Sequence, residues 1–140
     1  MLAHQDIVIR LLLAIGTSAL IGFEREKTKH AAGLRTHMLV CLGSTLITLV
    51  SIDMFPSDPA RIASGIITGV GFLGAGTIFR DKNNVRGLTT AASIWAVAGL
   101  GVALATGAYF ISIASTAAML FTLEFGRIHS LLTNKKKRWS

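Results

Sequence analysis

The chain has 140 residues, of which 51% are hydrophobic and only 15% are charged, and its mean hydropathy is +0.59. A soluble domain carries about 25% charged residues, so this composition excludes an ordinary soluble protein and a single membrane anchor attached to a soluble domain. A formal net charge of +7 can indicate nucleic-acid binding, but at this hydropathy it indicates a membrane topology, and no nucleic-acid partner is expected.

Five apolar segments follow one another along the chain, each 17 to 19 residues long, near the lower limit for a helix that crosses a bilayer. A helix satisfies its own backbone hydrogen bonds in lipid. The sequence therefore predicts an all-α fold, a polytopic membrane helix bundle with five transmembrane helices and a turn near Gly107 between the last two. The segments are Ile7–Phe23, Leu34–Ile52, Ile62–Phe79, Leu88–Ala105 and Gly107–Leu123.

The basic residues sort to one side of this topology. Twelve of the fourteen Lys and Arg residues fall in or beside the loop after the first segment, the loop after the third segment and the C-terminal stretch. Positive charge favours the cytoplasmic side, so we expect the N-terminus outside and the C-terminus in the cytoplasm. Residues 1–126 are expected to form the transmembrane domain, and residues 127–140 a basic cytoplasmic tail whose Lys135–Arg138 suit anionic headgroups.

The third segment is rich in glycine. A glycine in a helix interior costs about 1 kcal/mol relative to alanine, so several in one span need a reason. One reason is close packing against a neighbouring helix or a second copy of the chain in a homodimer or other homo-oligomer. The other is a broken span that exposes backbone groups to a substrate. The G-x-G-x-x-G spacing lacks the βαβ unit of a nucleotide site. The glycines are Gly65, Gly69, Gly71, Gly74 and Gly76.

Two helices are predicted to begin on the cytoplasmic side with similar residues, Gly33–His37 and, directly after Arg86, Gly87–Thr90. Helix N-termini carry free amides and positive partial charge, and the threonines there are expected to cap those amides. Glu24–Glu26 would face both helix starts. A network of these acids with Arg35, Arg86 and the threonines would either lock the bundle or bind a small anion or a partner protein.

Three further polar or aromatic side chains have simple explanations. Arg10 is expected to point towards the outer surface and to pair with Asp6, four residues earlier on the same helix face. Asp58 is expected to cap the third helix just before Arg61. Trp95 lies in mid-span, where its ring N–H needs a partner, and is expected to face another helix.

No enzyme chemistry is indicated. The chain brings together no nucleophile, base and orienting residue, and its spans contain no paired carboxylates of the kind that a conventional cation carrier uses. His37 has no second His or Cys at ligand spacing, so no metal and no cofactor are expected. A single cysteine, Cys41, excludes an internal disulfide.

Four ordered motifs resemble the MgtC/SapB family of membrane proteins, namely Gly22–Glu26, Gly33–His37, Gly71–Ile78 and Arg86–Trp95. The resemblance implies a bacterial inner-membrane protein tied to magnesium limitation, acid stress or survival inside host cells. It also implies a regulator of other membrane proteins, including the ATP synthase, more than a magnesium pump. The family motif falls on Arg10, Glu24, Arg25, Glu26, Arg35, Thr36, His37, Arg61, Gly74, Thr89, Thr90 and Trp95.

Two departures from the family pattern stand out. From the resemblance we expect the chain to correspond to the transmembrane module without the soluble C-terminal domain that many members carry. Gly65 stands where members often have glutamine, which favours a packing role there. The leading hypothesis is a non-enzymatic regulator that uses the cytoplasmic motifs as its control surface. The alternatives are a subunit of a transporter or channel for Mg²⁺ or another ion, and a purely structural homodimeric bundle.

Overall fold

The part of the chain that the structure describes forms a bundle of five helices with one small hairpin. The computed structural model describes the backbone of residues 2–82 and 84–137, and the side chains of these residues as far as residue 126. The all-α membrane fold is confirmed, because four of the helices are long and apolar enough to cross a membrane. In chain order the elements are α1 His4–Lys27, α2 Leu34–Met54, α3 Pro59–Ala75, β1 Phe79–Asp81, β2 Asn84–Arg86, α4 Leu88–Ala105 and α5 Tyr109–Lys137.

Each predicted segment corresponds to one helix, with close agreement for α2 and α4, whereas α1 is longer at both ends and α5 continues to Lys137 instead of ending at Leu123. Helix α4 has the predicted bounds, and the turn between α4 and α5 contains Gly107 at a φ of +78°, as expected. Asp58 caps α3 as predicted, since its side chain accepts a hydrogen bond from the Arg61 backbone N–H and Pro59 occupies the first turn. The backbone of α5 continues helically past residue 126, and the predicted headgroup contacts of Lys135–Arg138 lie outside the described side chains.

Helix α3 ends four residues earlier than predicted. We expected helix as far as Phe79, but the Gly76 N–H donates to Phe72 O and the Thr77 N–H to Gly74 O, which closes the last turn at Ala75. The following residues pair as the antiparallel strands β1 and β2. This pairing gives their backbone groups partners outside the helix, as N–H and C=O groups require.

Gly87 connects the hairpin to α4 in a conformation that only glycine tolerates well. Its φ is +92°, in the left-handed region. A Cβ at this position would also overlap the carbonyl of Thr77. The backbone of Gly87, at the start of α4, is therefore in close contact with the backbone of Thr77, just after the end of α3.

Helices α2 and α4 run in the same direction with a single register. His37 Nε2 lies 3.0 Å from Ser93 Oγ, and Thr45 Oγ1 donates to Gly101 O at 3.0 Å. Both pairs are separated by 56 residues in sequence, so equal steps along one helix match equal steps along the other. Because the chain leaves α2 at one end and enters α4 at the opposite end, α3 has to cross back between them.

This parallel arrangement bears on the number of spans. Helix α3 has 17 residues, about 25 Å at a rise of roughly 1.5 Å per residue, which is close to the bilayer core thickness of about 30 Å. With α1, α2, α4 and α5 long enough to span, the crossing by α3 makes five. The sides of the membrane on which the two termini lie stay a prediction.

Helices α2 and α4 approach each other closely at a glycine that the sequence analysis did not single out. A Cβ built on Gly101 would lie 2.5 Å from Cys41 O and 2.8 Å from Ser44 Cβ. Small residues allow such contact, and in lipid this packing replaces the hydrophobic force that holds soluble helices together. Cys41 is fully buried at this crossing beside Val97 and Leu100.

The α3 glycines do not share one role within the chain. A Cβ on Gly74 would lie 3.3 Å from Ala91 O of α4, and one on Gly76 would lie 3.3 Å from Leu73 O of its own turn. A Cβ on Gly65, Gly69 or Gly71 would meet nothing within 4 Å. Helix α3 is continuous from Pro59 to Ala75, which does not fit the broken-span alternative. Packing of the three uncovered glycines against a second copy stays a prediction.

The α2–α4 contact predicts opposite outcomes for two glycines of one helix. Gly101→Ala should lower the free energy of unfolding by about 1–3 kcal/mol, because the methyl group overlaps the α2 backbone. Gly99→Ala should leave stability unchanged or raise it by about 1 kcal/mol, since a Cβ there meets nothing within 4 Å. Unfolding by SDS in mixed micelles, followed by circular dichroism, measures both; equal effects would contradict the assigned contact.

Candidate functional site

The end of α1 and the starts of α2 and α4 meet at one end of the bundle. A Cβ on Gly22 would lie 2.7 Å from Leu34 Cα, so the missing side chain lets α1 approach the first turn of α2. Helix α1 closes at Thr28, whose N–H and hydroxyl both donate to Glu24 O, at 3.1 Å and 2.8 Å. The residues of this end form what we call the polar cluster: Glu24, Arg25, His37, Thr90 and Ser93.

Arg25 is the buried charge of the polar cluster, with 3% of its surface exposed. Its Nη2 donates to Thr90 Oγ1 at 3.3 Å, and its Nη1 lies 3.8 Å from Glu24 Oε2. Both contacts are long. Arg25 Nε and Glu24 Oε2 are buried and have no hydrogen-bond partner among the described residues. A buried charged group is costly when its hydrogen bonds are incompletely satisfied. The guanidinium of Arg25 therefore still has an N–H donor that could bind an acceptor.

His37 joins α2 to α4 through a hydrogen-bond relay. Its side chain is fully buried, Nδ1 lies 2.8 Å from Gly33 O, and Nε2 lies 3.0 Å from Ser93 Oγ. A carbonyl accepts only, so Nδ1 carries a proton, and in the neutral ring Nε2 accepts from the Ser93 hydroxyl. Ser93 Oγ also lies 2.9 Å from Thr90 O, to which the hydroxyl would donate if His37 became an imidazolium.

The helix caps differ from the prediction. The threonines were expected to cap α2 and α4, but the N-cap residues are Gly33 and Gly87, and neither helix has a side-chain cap from its own N-cap residue. Instead, Glu26 Oε2 of α1 accepts the Leu34 N–H at 2.8 Å. A carboxylate at a helix N-terminus also interacts favourably with the helix dipole, so Glu26 fastens α1 to α2.

The predicted network joined Glu24 or Glu26 to Arg35, Arg86 and the threonines at the two helix starts, and the structure assembles only part of it. Glu26 accepts the Leu34 N–H, and Glu24 lies beside Arg25, which donates to Thr90. The other predicted members are exposed and have no hydrogen bond or ion pair among the described side chains to join them to it. These exposed residues surround the buried polar cluster at the same end of the bundle, and we call them the exposed rim. They are Arg35, Thr36, Arg86 and Thr89.

Arg10, Arg61 and Trp95 lie away from the polar cluster. The Arg10 guanidinium donates to Ala105 O at the C-terminal end of α4, and no ion pair joins it to Asp6 among the described residues, so the predicted pairing is wrong. A cation there complements the carbonyl end of the helix dipole. Arg61 is exposed and lies 3.3 Å from Asp58.

Trp95 is 51% exposed, so the expectation that it faces another helix within the bundle is wrong. The inward positions around it are taken by Ile94, Val97 and Ala98, all of which are buried. Trp95 therefore lies on the outer face of α4.

Two members of this region were missed from the sequence. Ser93 lies three residues after Thr90 and so shares its helix face, a spacing that could have revealed it. His30 lies in the loop after α1, where it lines a cavity of about 260 Å³ together with Arg25, Val85 and Gly87–Thr90. We call this the α4 cavity. No group of three His, Cys, Asp or Glu side chains that could hold a metal occurs in the described part of the chain.

Burial lowers the pKa of His30, and the nearby Arg25 charge lowers it further, while Glu24 raises it. These surroundings together favour the neutral imidazole. Because its folded-state pKa lies below the unfolded value of about 6.5, its contribution to stability is present above that pH and is lost as the pH falls.

Comparison with known proteins identifies a family. The profile of the MgtC family matches residues 11–130. YhiD of Escherichia coli strain K12, which is provisionally named a magnesium transporter, is 41% identical over 140 aligned residues, covering 93% of this chain and 65% of its own. Protein MgtC of Salmonella typhimurium strain LT2 is 45% identical over 113 residues, covering 81% of this chain and 49% of its own.

Protein SapB of Bacillus subtilis strain 168 is 42% identical over 130 residues, covering 86% of this chain and 56% of its own. The chain therefore spans about half to two thirds of the length of these relatives. No solved structure matches it.

The charges near His30 predict how its pKa should change when Glu24 or Arg25 is replaced. By NMR of isotope-labelled protein in micelles, the His30 midpoint should lie below 6.5, the ordinary value. Glu24→Gln should lower it, Arg25→Gln should raise it, and Arg25→Lys should leave it nearly unchanged, because only the first two remove a nearby charge. Shifts of the same sign in Glu24→Gln and Arg25→Gln would contradict the arrangement.

Proposed function

The chain belongs to the MgtC family of membrane proteins, and on that premise we propose that it is a non-enzymatic regulator in the bacterial inner membrane, active under magnesium limitation, acid stress or intracellular growth. It acts on another membrane protein through the exposed rim, and the ATP synthase that the family resemblance suggests is the first candidate partner.

The observation that carries this proposal is the contrast between the polar cluster and its surroundings. Arg25–Thr90 and His37–Ser93 link α1 and α2 to α4, which supports a fixed interior. At the same end Arg35 and Arg86 are exposed. Exposed cations on a rigid platform suit recognition of an acidic surface, because complementary charge steers association and selects the partner.

A magnesium transporter is the second candidate, favoured by the provisional name of YhiD. Transport of a divalent cation usually uses oxygen ligands along a path, and carboxylates within spans mark such paths. Helices α3 and α4 contain no Asp or Glu, and Glu24 lies near Arg25 at the end of α1. This distribution favours the regulator over the carrier.

A flux assay separates the two candidates. The purified chain in liposomes loaded with a magnesium-sensitive dye should give no saturable Mg²⁺ uptake above that of empty vesicles, with a reconstituted magnesium channel as positive control. Robust, saturable uptake would overturn the regulator proposal and establish the transporter.

The exposed rim can be tested without disturbing the fold. Arg35→Ala should change the free energy of unfolding by less than about 0.5 kcal/mol, as is usual for an exposed side chain, and leave membrane insertion intact, but it should abolish growth of a deletion strain in limiting magnesium. Arg35 is a sharper target than Glu24, which is largely buried beside Arg25.

Lys27→Ala is the matched control, since Lys27 is an exposed cation at the end of α1 outside the rim, and it should support normal growth. If Arg35→Ala also supports normal growth, the rim is not the control surface.

A further inference from the structure

We propose that the α4 cavity is a binding site for a phosphate group, carried either by a soluble phosphorylated compound or by a lipid headgroup. The cavity lies at the N-terminus of an 18-residue helix and is lined by Arg25, His30, Val85 and Gly87–Thr90. The site would stand whether the protein regulates or transports, so it goes beyond the proposed function.

The first turn of α4 supplies free donors. The Ala91 N–H is the first of the helix to bond to an earlier carbonyl, Gly87 O, at 2.8 Å. The amides of Leu88, Thr89 and Thr90 precede it and have no such partner within the helix, and Gly87 has no side chain to cap them. Three amides and the positive end of the helix dipole at one place form a ready-made anion site.

Arg25 supplies the second, independent observation. It lines the same cavity, is 3% exposed, and its buried Nε–H has no acceptor in the part of the chain that the structure describes. Its hydrogen bond to Thr90 is 3.3 Å long, and its ion pair with Glu24 spans 3.8 Å. A guanidinium so incompletely paired needs an acceptor, and a planar fork of N–H donors matches the oxygens of a phosphate.

The volume and the lining residues of the α4 cavity limit the kinds of ligand that it can hold. About 260 Å³ is far more than the roughly 30 Å³ of one water, so the cavity has room for a tetrahedral oxyanion and part of what it is esterified to. Val85 and Leu88 line it with apolar surface beside the polar end. The negative charge of Glu24 partly neutralises the positive charge of Arg25. The N–H groups at the start of α4, which carry no formal charge, would also attract a bound anion.

Thermal unfolding of the full chain in a lipid-free neutral maltoside tests the site with inorganic phosphate as the probe. The melting temperature should rise with phosphate at constant ionic strength, and chloride should not reproduce the rise. Arg25→Lys, which keeps the charge but loses the fork, and Thr89→Val, at an exposed residue of the cavity, should each weaken phosphate binding about tenfold, as loss of one charged hydrogen bond predicts.

Arg35→Gln is the control, because Arg35 is an exposed arginine that does not line the cavity, and it should bind phosphate like the unaltered chain. A second arm replaces phosphate with phosphatidic acid or phosphatidylglycerol and measures retained lipid by native mass spectrometry. If the chain retains the lipid more strongly than phosphate, and Thr89→Val abolishes this retention, the site binds a lipid headgroup. If it retains phosphate more strongly than the lipid, the site binds a soluble ligand. Binding of neither probe, or binding unaltered in Arg25→Lys and Thr89→Val, overturns the proposal.

Discussion

The parallel register of α2 and α4 is the constraint on which the rest of the molecule depends. Inside a bilayer the helices gain little from hiding apolar surface from one another, so close backbone approach and interhelical hydrogen bonds decide how they pair. Gly101 permits that approach, and the hydroxyl of Thr45 fastens to its carbonyl. The same register places His37 beside Ser93, eight residues earlier on both helices, so that packing in mid-membrane and the polar contacts at the helix starts are one arrangement.

The polar cluster follows from this pairing and adds α1 to it. Once α2 and α4 start side by side, Arg25 at the end of α1 meets Thr90, and the neighbouring Glu26 meets the first amide of α2. The cap and the dipole interaction of Glu26 are favourable, whereas the buried Arg25–Glu24 pair is long and incompletely satisfied. Incomplete satisfaction at a buried charge is costly for stability, and it is retained here where three helix ends converge.

The sequence predicted where the helices lie along the chain far better than which side of each helix faces the interior of the bundle. The length of the fourth apolar segment and the turn at Thr106–Ala108 predicted both ends of α4 to the residue. Asp58 marked the start of α3. Helix α4 is apolar almost all round, so nothing in its pattern distinguished its lipid side from its inner side. For that reason Trp95 was placed inwards and Gly101 was overlooked. The end of α3 was misplaced because apolar composition continues into residues whose hydrogen bonds go to a hairpin.

The candidate site was predicted in part for a related reason. Glu24, Arg25, His37 and Thr90 were recognised as polar residues at helix ends, where chemistry is unusual for a membrane span. Which of them would be buried depended on how α1, α2 and α4 are rotated, and sequence spacing alone does not report rotation between helices. Hence Arg35 and Arg86 were assigned to a network that they only surround, and Arg10 was given a partner on its own helix when it contacts the end of another.

The fixed offset of α2 against α4 also determines which changes of chain length the protein can accept. Between Ser93 and Gly101 a single inserted or deleted residue would turn the rest of α4 by about 100° and separate one of the two matched contacts from its partner. The connection at residues 55–58 carries no such phase relation, so gaps between relatives should collect there, and the eight-residue spacing should persist even where the side chains between its ends have changed.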